Sequence, residues 1–69
     1  MERVPVDSSS ITEAGFDPRS RILELMFTDG RVYRYFDVPL DVYANLLDAP
    51  SVGRFFLENI RDIYRFERM

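Results

Sequence analysis

The chain has 69 residues, no cysteine and no histidine, and nine arginines against twelve carboxylates, for a formal net charge of −3. That length allows one domain at most, close to the lower limit for folding on a hydrophobic core alone, and disulfides, thiolate metal centres and histidine zinc ligands are excluded. Stability has to come from packing, for which 46% hydrophobic residues, including six phenylalanines and four tyrosines, supply the material.

A domain this small often gains further stability from pairing with a copy of itself, so self-association is a standing expectation. Lysine is missing altogether, and the charge is unevenly spread: residues 1–50 carry five arginines and nine acids, residues 51–69 four and three. Polyanion binders usually show a basic surplus, because neutralising phosphates drives their affinity. The overall balance therefore weighs against a dedicated nucleic-acid protein and leaves room for a local arginine patch. The first residues, Met1-Glu2-Arg3-Val4-Pro5, lack the apolar run of a signal peptide, and no segment approaches the ~20 apolar residues of a membrane span. A soluble, cytoplasmic protein without a membrane partner is expected.

Residues 1–9 are polar and proline-containing, and read as extended or loosely ordered. Ser10 to Phe16 is weakly strand-like, with Gly15 marking a bulge or a close backbone approach. Asp17-Pro18-Arg19-Ser20 is a turn, Pro18 presetting the backbone angle at its second position. From Arg21 to Thr28 the alternation of Leu23, Leu25 and Phe27 with Ile22, Glu24, Met26 and Thr28 defines a strand. Asp29-Gly30 closes a hairpin, and Arg31 to Phe36 forms its second arm.

Two registers compete for that hairpin. A two-residue Asp29-Gly30 loop sets Leu25 opposite Arg34 and leaves Tyr33 and Tyr35 on the other face. A three-residue Thr28-Asp29-Gly30 loop, with the glycine as a bulge, sets Leu25 opposite Tyr33 and Leu23 opposite Tyr35. A shift of one residue turns a whole strand over. The bulged register is favoured, because the tight one places an arginine in the middle of an apolar face, which is costly unless the charge is paired.

Helix signals begin at Pro39, suited to a first helical position. Val42, Tyr43, Leu46 and Leu47 form one apolar stripe of a short helix ending near Ala49. Pro50 separates it from a second, with Ser51 as N-cap and Val52, Phe55, Phe56, Ile60 and Ile63 as its buried face. Tyr64-Arg65-Phe66-Glu67-Arg68 alternates aromatic with charged residues, which predicts a short terminal strand. The resulting class is α+β: a three-stranded antiparallel sheet, two helices on one face, and a short fourth strand at the end.

The ordered set Ser9…Ile11, Gly15-Phe16-Asp17, Leu23-x-Leu25-x-Phe27, Gly30, Tyr33-x-Tyr35, Val38-Pro39, Ala49-x-Ser51-x-Gly53, Phe56, Ile60-Arg61 and Tyr64-x-Phe66-x-Arg68 resembles the KTSC domain family. That family is named for the C-terminal region of some lysyl-tRNA synthetases and also occurs as free-standing small bacterial proteins. The likeness runs from about Val6 to Arg68. It implies a domain of unestablished function for which RNA binding has been suggested, with Tyr33 and Tyr35 matching the family's central tyrosine pair. Two positions depart from the pattern: Leu57 stands where a polar residue, often asparagine, is expected, and Arg65 where proline is common.

Catalysis finds little support in the residues. Without histidine, cysteine or lysine there is no Ser-His or Cys-His pair and no Schiff base. No glycine-rich phosphate loop exists, and no cofactor is expected. Asp37 and Asp41 flank a helix start and could hold magnesium, but carboxylates favoured by the helix dipole are the simpler account.

For a nucleic-acid module the candidates are Arg31, Tyr33, Arg34 and Tyr35, which resemble a strand on which bases stack while guanidinium groups meet phosphate. In the bulged register the tyrosines are instead half-buried packing residues, which is the favoured account, with Arg34 facing the open side. Ser51, Gly53 and Arg54 at the second helix start would suit a phosphate or a small anionic ligand. An N-cap plus a close approach at Gly53 explains the same residues and is favoured. Arg61, with Arg65 and Arg68, extends the basic character but alternates with Glu58, Asp62 and Glu67. Protein contact, with a second copy or a host protein, needs no basic surplus: Ile22, Met26, Val32 and Phe36 should line the sheet's uncovered face. A continuous positive strip joining Arg34, Arg54 and Arg61 would favour nucleic acid, and arginines scattered beside carboxylates would favour protein contact.

Overall fold

Two runs of alternating apolar residues, one in each arm of the central hairpin, set the architecture. The computed structural model describes residues 1–69. Five strands form one antiparallel sheet in chain order: β1 (Arg3–Pro5), β2 (Ile11–Asp17), β3 (Ile22–Phe27), β4 (Val32–Tyr35) and β5 (Phe66–Arg68). Between β4 and β5 the chain makes two helices, α1 (Leu40–Asp48) and α2 (Val52–Asn59). The class is α+β, with the expected terminal strand and one further strand at the start, within residues that read from sequence as extended or loosely ordered.

The hairpin adopts the bulged register. Leu25 lies opposite Tyr33 and Leu23 opposite Tyr35. The Gly30 amide donates to the Phe27 carbonyl at 2.9 Å and the Phe27 amide to the Arg31 carbonyl at 2.9 Å. Those two bonds close a three-residue loop, and Gly30 sits at φ 88°, where a side chain would be strained. Glu24 consequently faces Arg34 on the opposite side of the sheet.

Gly15 supplies the close approach rather than the bulge. A Cβ there would stand 2.6 Å from the Glu2 carbonyl oxygen, so only glycine lets β1 lie against β2. The bulge falls at Thr12, where the pairing shifts between Ile11 and Glu13. The turn after β2 is a residue longer than a simple β-turn: the Arg21 amide donates to the Asp17 carbonyl at 2.7 Å. Hydrogen bonds from the Ser20 hydroxyl and then the Arg19 amide hold the Asp17 carboxyl below the usual carboxylate range.

Pro39 is the N-cap of α1, with extended backbone, so the helix begins one residue later than proline's preference suggests. Ser51 caps α2, its hydroxyl accepting from the Arg54 amide at 3.3 Å. Here α2 departs from expectation. It ends at Asn59, and Ile60 leaves helical geometry at φ −127° while its side chain stays fully buried. Ile63, assigned to the helix's apolar face by period, is 62% exposed in the turn that follows. Leu47 on α1 is likewise exposed.

The core lies between the helices and one sheet face. Ile11, Leu23, Leu25, Val38, Leu46 and Ile60 are wholly buried, each worth about 1.5–3 kcal/mol of transfer free energy. Phe16 stacks on Tyr43 of α1 at 5.1 Å between centroids, and Phe56 of α2 meets both Phe27 and Tyr35 edge-on. The tyrosine pair therefore faces the helices, together with the Leu23, Leu25 and Phe27 row.

Candidate functional site

Between α2 and the β3–β4–β5 edge of the sheet, the aromatic side opens into a groove of about 460 Å³. Its floor is Phe27, Tyr33, Tyr35, Phe56 and Phe66, and its rim carries Ser10, Thr28, Asp29, Arg31 and Arg61. The aromatic groups form a connected set. Tyr33 lies 5.6 Å from Phe27, 6.5 Å from Tyr35 and 5.7 Å from Phe66, and Tyr35 lies 5.6 Å from Phe56. Tyr35 is buried, Tyr33 is part-exposed, and Phe66 is 51% exposed. Together with part-exposed Phe27, the last two are thus the floor rings that a ligand can reach.

A second hollow of about 640 Å³ shares Ser10, Phe27, Phe56 and Arg61 with the first and continues to Ser8, Ser51, Gly53, Arg54 and Leu57. One groove accordingly runs from the start of α2 to the tyrosines, with Arg61 at the junction. Gly53 is what brings the two walls together there. A Cβ on it would stand 2.7 Å from the Ser10 hydroxyl, so the glycine lies directly against a serine loop and a larger residue would make that hydroxyl turn aside. In that loop the Ser8 hydroxyl accepts from the amides of Ser10 and Ile11 at 3.3 and 3.4 Å.

The Tyr35 hydroxyl is pushed up to about 12, first by burial and then by the neighbouring Tyr33, against a smaller opposing effect of the Arg61 charge. Arg61 is therefore within electrostatic reach of the groove floor. Its ion pair is with Asp62 at 3.5 Å; Arg54 pairs with Glu58 at 3.3 Å and Arg31 with Asp29 at 3.2 Å. All three are exposed pairs, which contribute little and exchange readily for another anion.

Seven residues singled out from sequence line these joined hollows: Arg31, Tyr33, Tyr35, Ser51, Gly53, Arg54 and Arg61. Arg34 does not. It lies on the uncovered face, its Nε 2.8 Å from Glu24 Oε1, in a ladder that Arg3 extends to Glu24 and Glu13 at 3.4 and 3.0 Å. The strip joining Arg34, Arg54 and Arg61 is thus interrupted by the sheet itself, because adjacent β4 residues point to opposite faces. Ile22, Met26, Val32 and Phe36 are all part-exposed on the uncovered side, with the Arg65 guanidinium 4.8 Å above the Phe36 ring. Sequence reasoning missed Ser8, Ser10 and Phe66 as site residues. They reach the groove from the two ends of the chain, and no local pattern joins them to Gly53 or Tyr33.

Asp37 and Asp41 are both exposed, and Asp41 sits in the first turn of α1 as the dipole argument requires. No group of three or more acidic side chains gathers at one point, and no helix is long and apolar enough to cross a membrane.

Comparison with known proteins places the fold. The profile of the KTSC domain matches residues 7–64. The chain belongs to the KTSC domain family. A KTSC domain protein of Yersinia pestis superposes with a TM-score of 0.96 at 37% identity, over 99% of this chain and 96% of that one. An uncharacterised protein of Stutzerimonas stutzeri is 43% identical over 70 residues, covering 100% of this chain and 99% of its own. A lysine–tRNA ligase of a Nostoc species is 35% identical over 63 residues, which is 91% of this chain but 11% of the ligase. A segment similar to this chain thus makes up nearly all of the Stutzerimonas relative and a small part of the ligase.

Proposed function

We propose that this KTSC domain is a non-catalytic, cytoplasmic interaction module whose groove takes a short single-stranded stretch of RNA. The observation that carries the reading is the groove itself: a connected aromatic floor with arginines 31, 54 and 61 along its rim. Stacking on an aromatic face suits any base, and arginine beside it suits phosphate. Tyr33 and Phe66 are the more exposed rings of the strand pair, with buried Tyr35 packed beside both. The occurrence of a similar segment within lysine–tRNA ligases is consistent with an RNA partner.

A second reading is favoured by a different observation. Arg31, Arg34, Arg54 and Arg61 each have a carboxylate within 3.5 Å, the scattered pattern that suits protein contact. The part-apolar uncovered face would then be the surface used.

Fluorescence anisotropy with a labelled single-stranded RNA, at low and at high salt, separates the two. Binding at low salt that weakens at high salt is the expected result, and Tyr33→Ala should weaken it about ten- to hundred-fold, the worth of one stacked base. No binding at low salt sinks the RNA reading and leaves protein contact.

A further inference from the structure

The sheet has two edges, β1 and β5, and they are not alike. On β1, Val4 lies opposite Ala14 and the Val6 amide donates to the Thr12 carbonyl. Antiparallel alternation therefore turns the backbone groups of Arg3 and Pro5 away from the sheet. Pro5 has no amide to offer, so this edge is blunted against further strands. On β5, the Met69 amide donates to the Val32 carbonyl, and the Arg65 carbonyl accepts from the Phe36 amide. The same alternation turns the amide and carbonyl of both Phe66 and Arg68 outward, and no proline interrupts them. Beside this open edge stands half-exposed Phe66, with Arg65 and Glu67 on the opposite side of the strand.

We infer that the β5 edge is the site at which a second copy of this chain adds, antiparallel, about a two-fold axis through Phe66. Charge complementarity selects both the occupant and the register. With Phe66 opposite its own symmetry mate, Arg65 falls opposite Glu67 of the other copy, and Glu67 opposite its Arg65. Shifting so that Phe66 meets Arg68 sets two glutamates at position 67 face to face, and centring on Arg68 sets two arginines together. Opposite charges across a strand pair stabilise and like charges destabilise, so one register stands out. That register also brings toward one another, at each end of the paired strands, Ile63 of one copy and Met69 of the other, which are 62% and 60% exposed in the single chain. The product is one continuous sheet built from two sets of five strands, with the two aromatic grooves meeting at the Phe66 pair on a common face. The pairing does not depend on what the groove binds.

Size-exclusion chromatography with light scattering, on the full chain over a range of concentrations, is the test. Wild type should approach twice the monomer mass as concentration rises. Glu67→Arg and Arg65→Glu should each run as monomers, since each places like charges opposite one another. An equimolar mixture of the two, and the double variant R65E/E67R, should return the dimer because both pairs across the interface are again complementary, although position 67 still faces Arg34 within each chain. That recovery also shows that the variants fold. A wild type that stays monomeric overturns the inference, as does an E67R protein that dimerises like wild type or a mixture that remains monomeric.

Discussion

Tyr35 shows how much a single side chain in this fold reports. Its ring packs against Phe56 in the core and lines the groove, and burial and then Tyr33 raise its proton affinity while Arg61 opposes them. An unfolded tyrosine titrates near 10.0, the folded one near 12. Between those values the folded state holds the proton more tightly than the unfolded state does. The contribution is therefore complete below pH 10 and is lost as pH rises through 12. Tyr43, whose hydroxyl is also raised by burial, adds to the same decline. Urea midpoints measured from pH 9 upward should fall steadily, by ~0.5 M or more overall, and Tyr35→Phe should make the curve flatter. An unchanged slope in that variant would remove Tyr35 as the cause. The orientation of the tyrosine pair was legible in the sequence, because the alternative register put Arg34 into the Leu23, Leu25, Phe27 row. The fate of Arg34 was only half legible. Its direction and its place opposite Glu24 both followed from the register, but the closeness of that ion pair and the reach of Arg3 to the same carboxylate needed the packed strands, and together they take Arg34 out of the candidate site.

At the scale of elements, the legible ones had a period long enough to read. The β3–β4 hairpin, α1, the start of α2 and the terminal strand all followed from alternation, proline or a cap. The end of α2 did not, since Ile63 continues the helical spacing past the point where the backbone turns away at Ile60. Nor did β1, three residues long with a proline at its end, whose presence depends on a glycine ten or more residues away. That dependence is testable. Gly15→Ala forces a methyl group into the Glu2 carbonyl and the Arg3 side chain, with 2.6 and 2.9 Å available. β1 must move away or β2 must bend. Hydrogen exchange at the Val6 amide, bonded to Thr12 in the native sheet, should accelerate about tenfold or more, equivalent to ~1.4 kcal/mol, while the β3–β4 amides keep their protection. Uniform loss of protection across all strands would show that the glycine supports the whole fold and not one edge.

For the molecule as a whole, the two sheet faces solve different problems. One is covered by helices and carries the core and the groove. The other is left to water and is held by charges, with Glu24 at the centre, only 7% exposed and reached by Arg34 from β4 and Arg3 from β1. Four adjacent strands thus share one acidic residue and its neighbour Glu13. Small domains have about 5 kcal/mol of stability to lose, so the worth of this ladder matters. Both arginines remain partly in water, which limits the penalty for removing their partner to about 1–3 kcal/mol, below that of a fully buried pair. Glu24→Ala should therefore lower the urea midpoint clearly. A double-mutant cycle with Arg34→Ala should give a coupling of about 1 kcal/mol that survives moderate salt, since the acid is shielded from solvent. The equivalent cycle on Arg54 and Glu58, an exposed pair one helical turn apart, should give about 0.3–0.5 kcal/mol and lose it in salt. If the two couplings prove equal and equally screened, the ladder is ordinary surface charge. The uncovered face would then owe its integrity to backbone pairing alone.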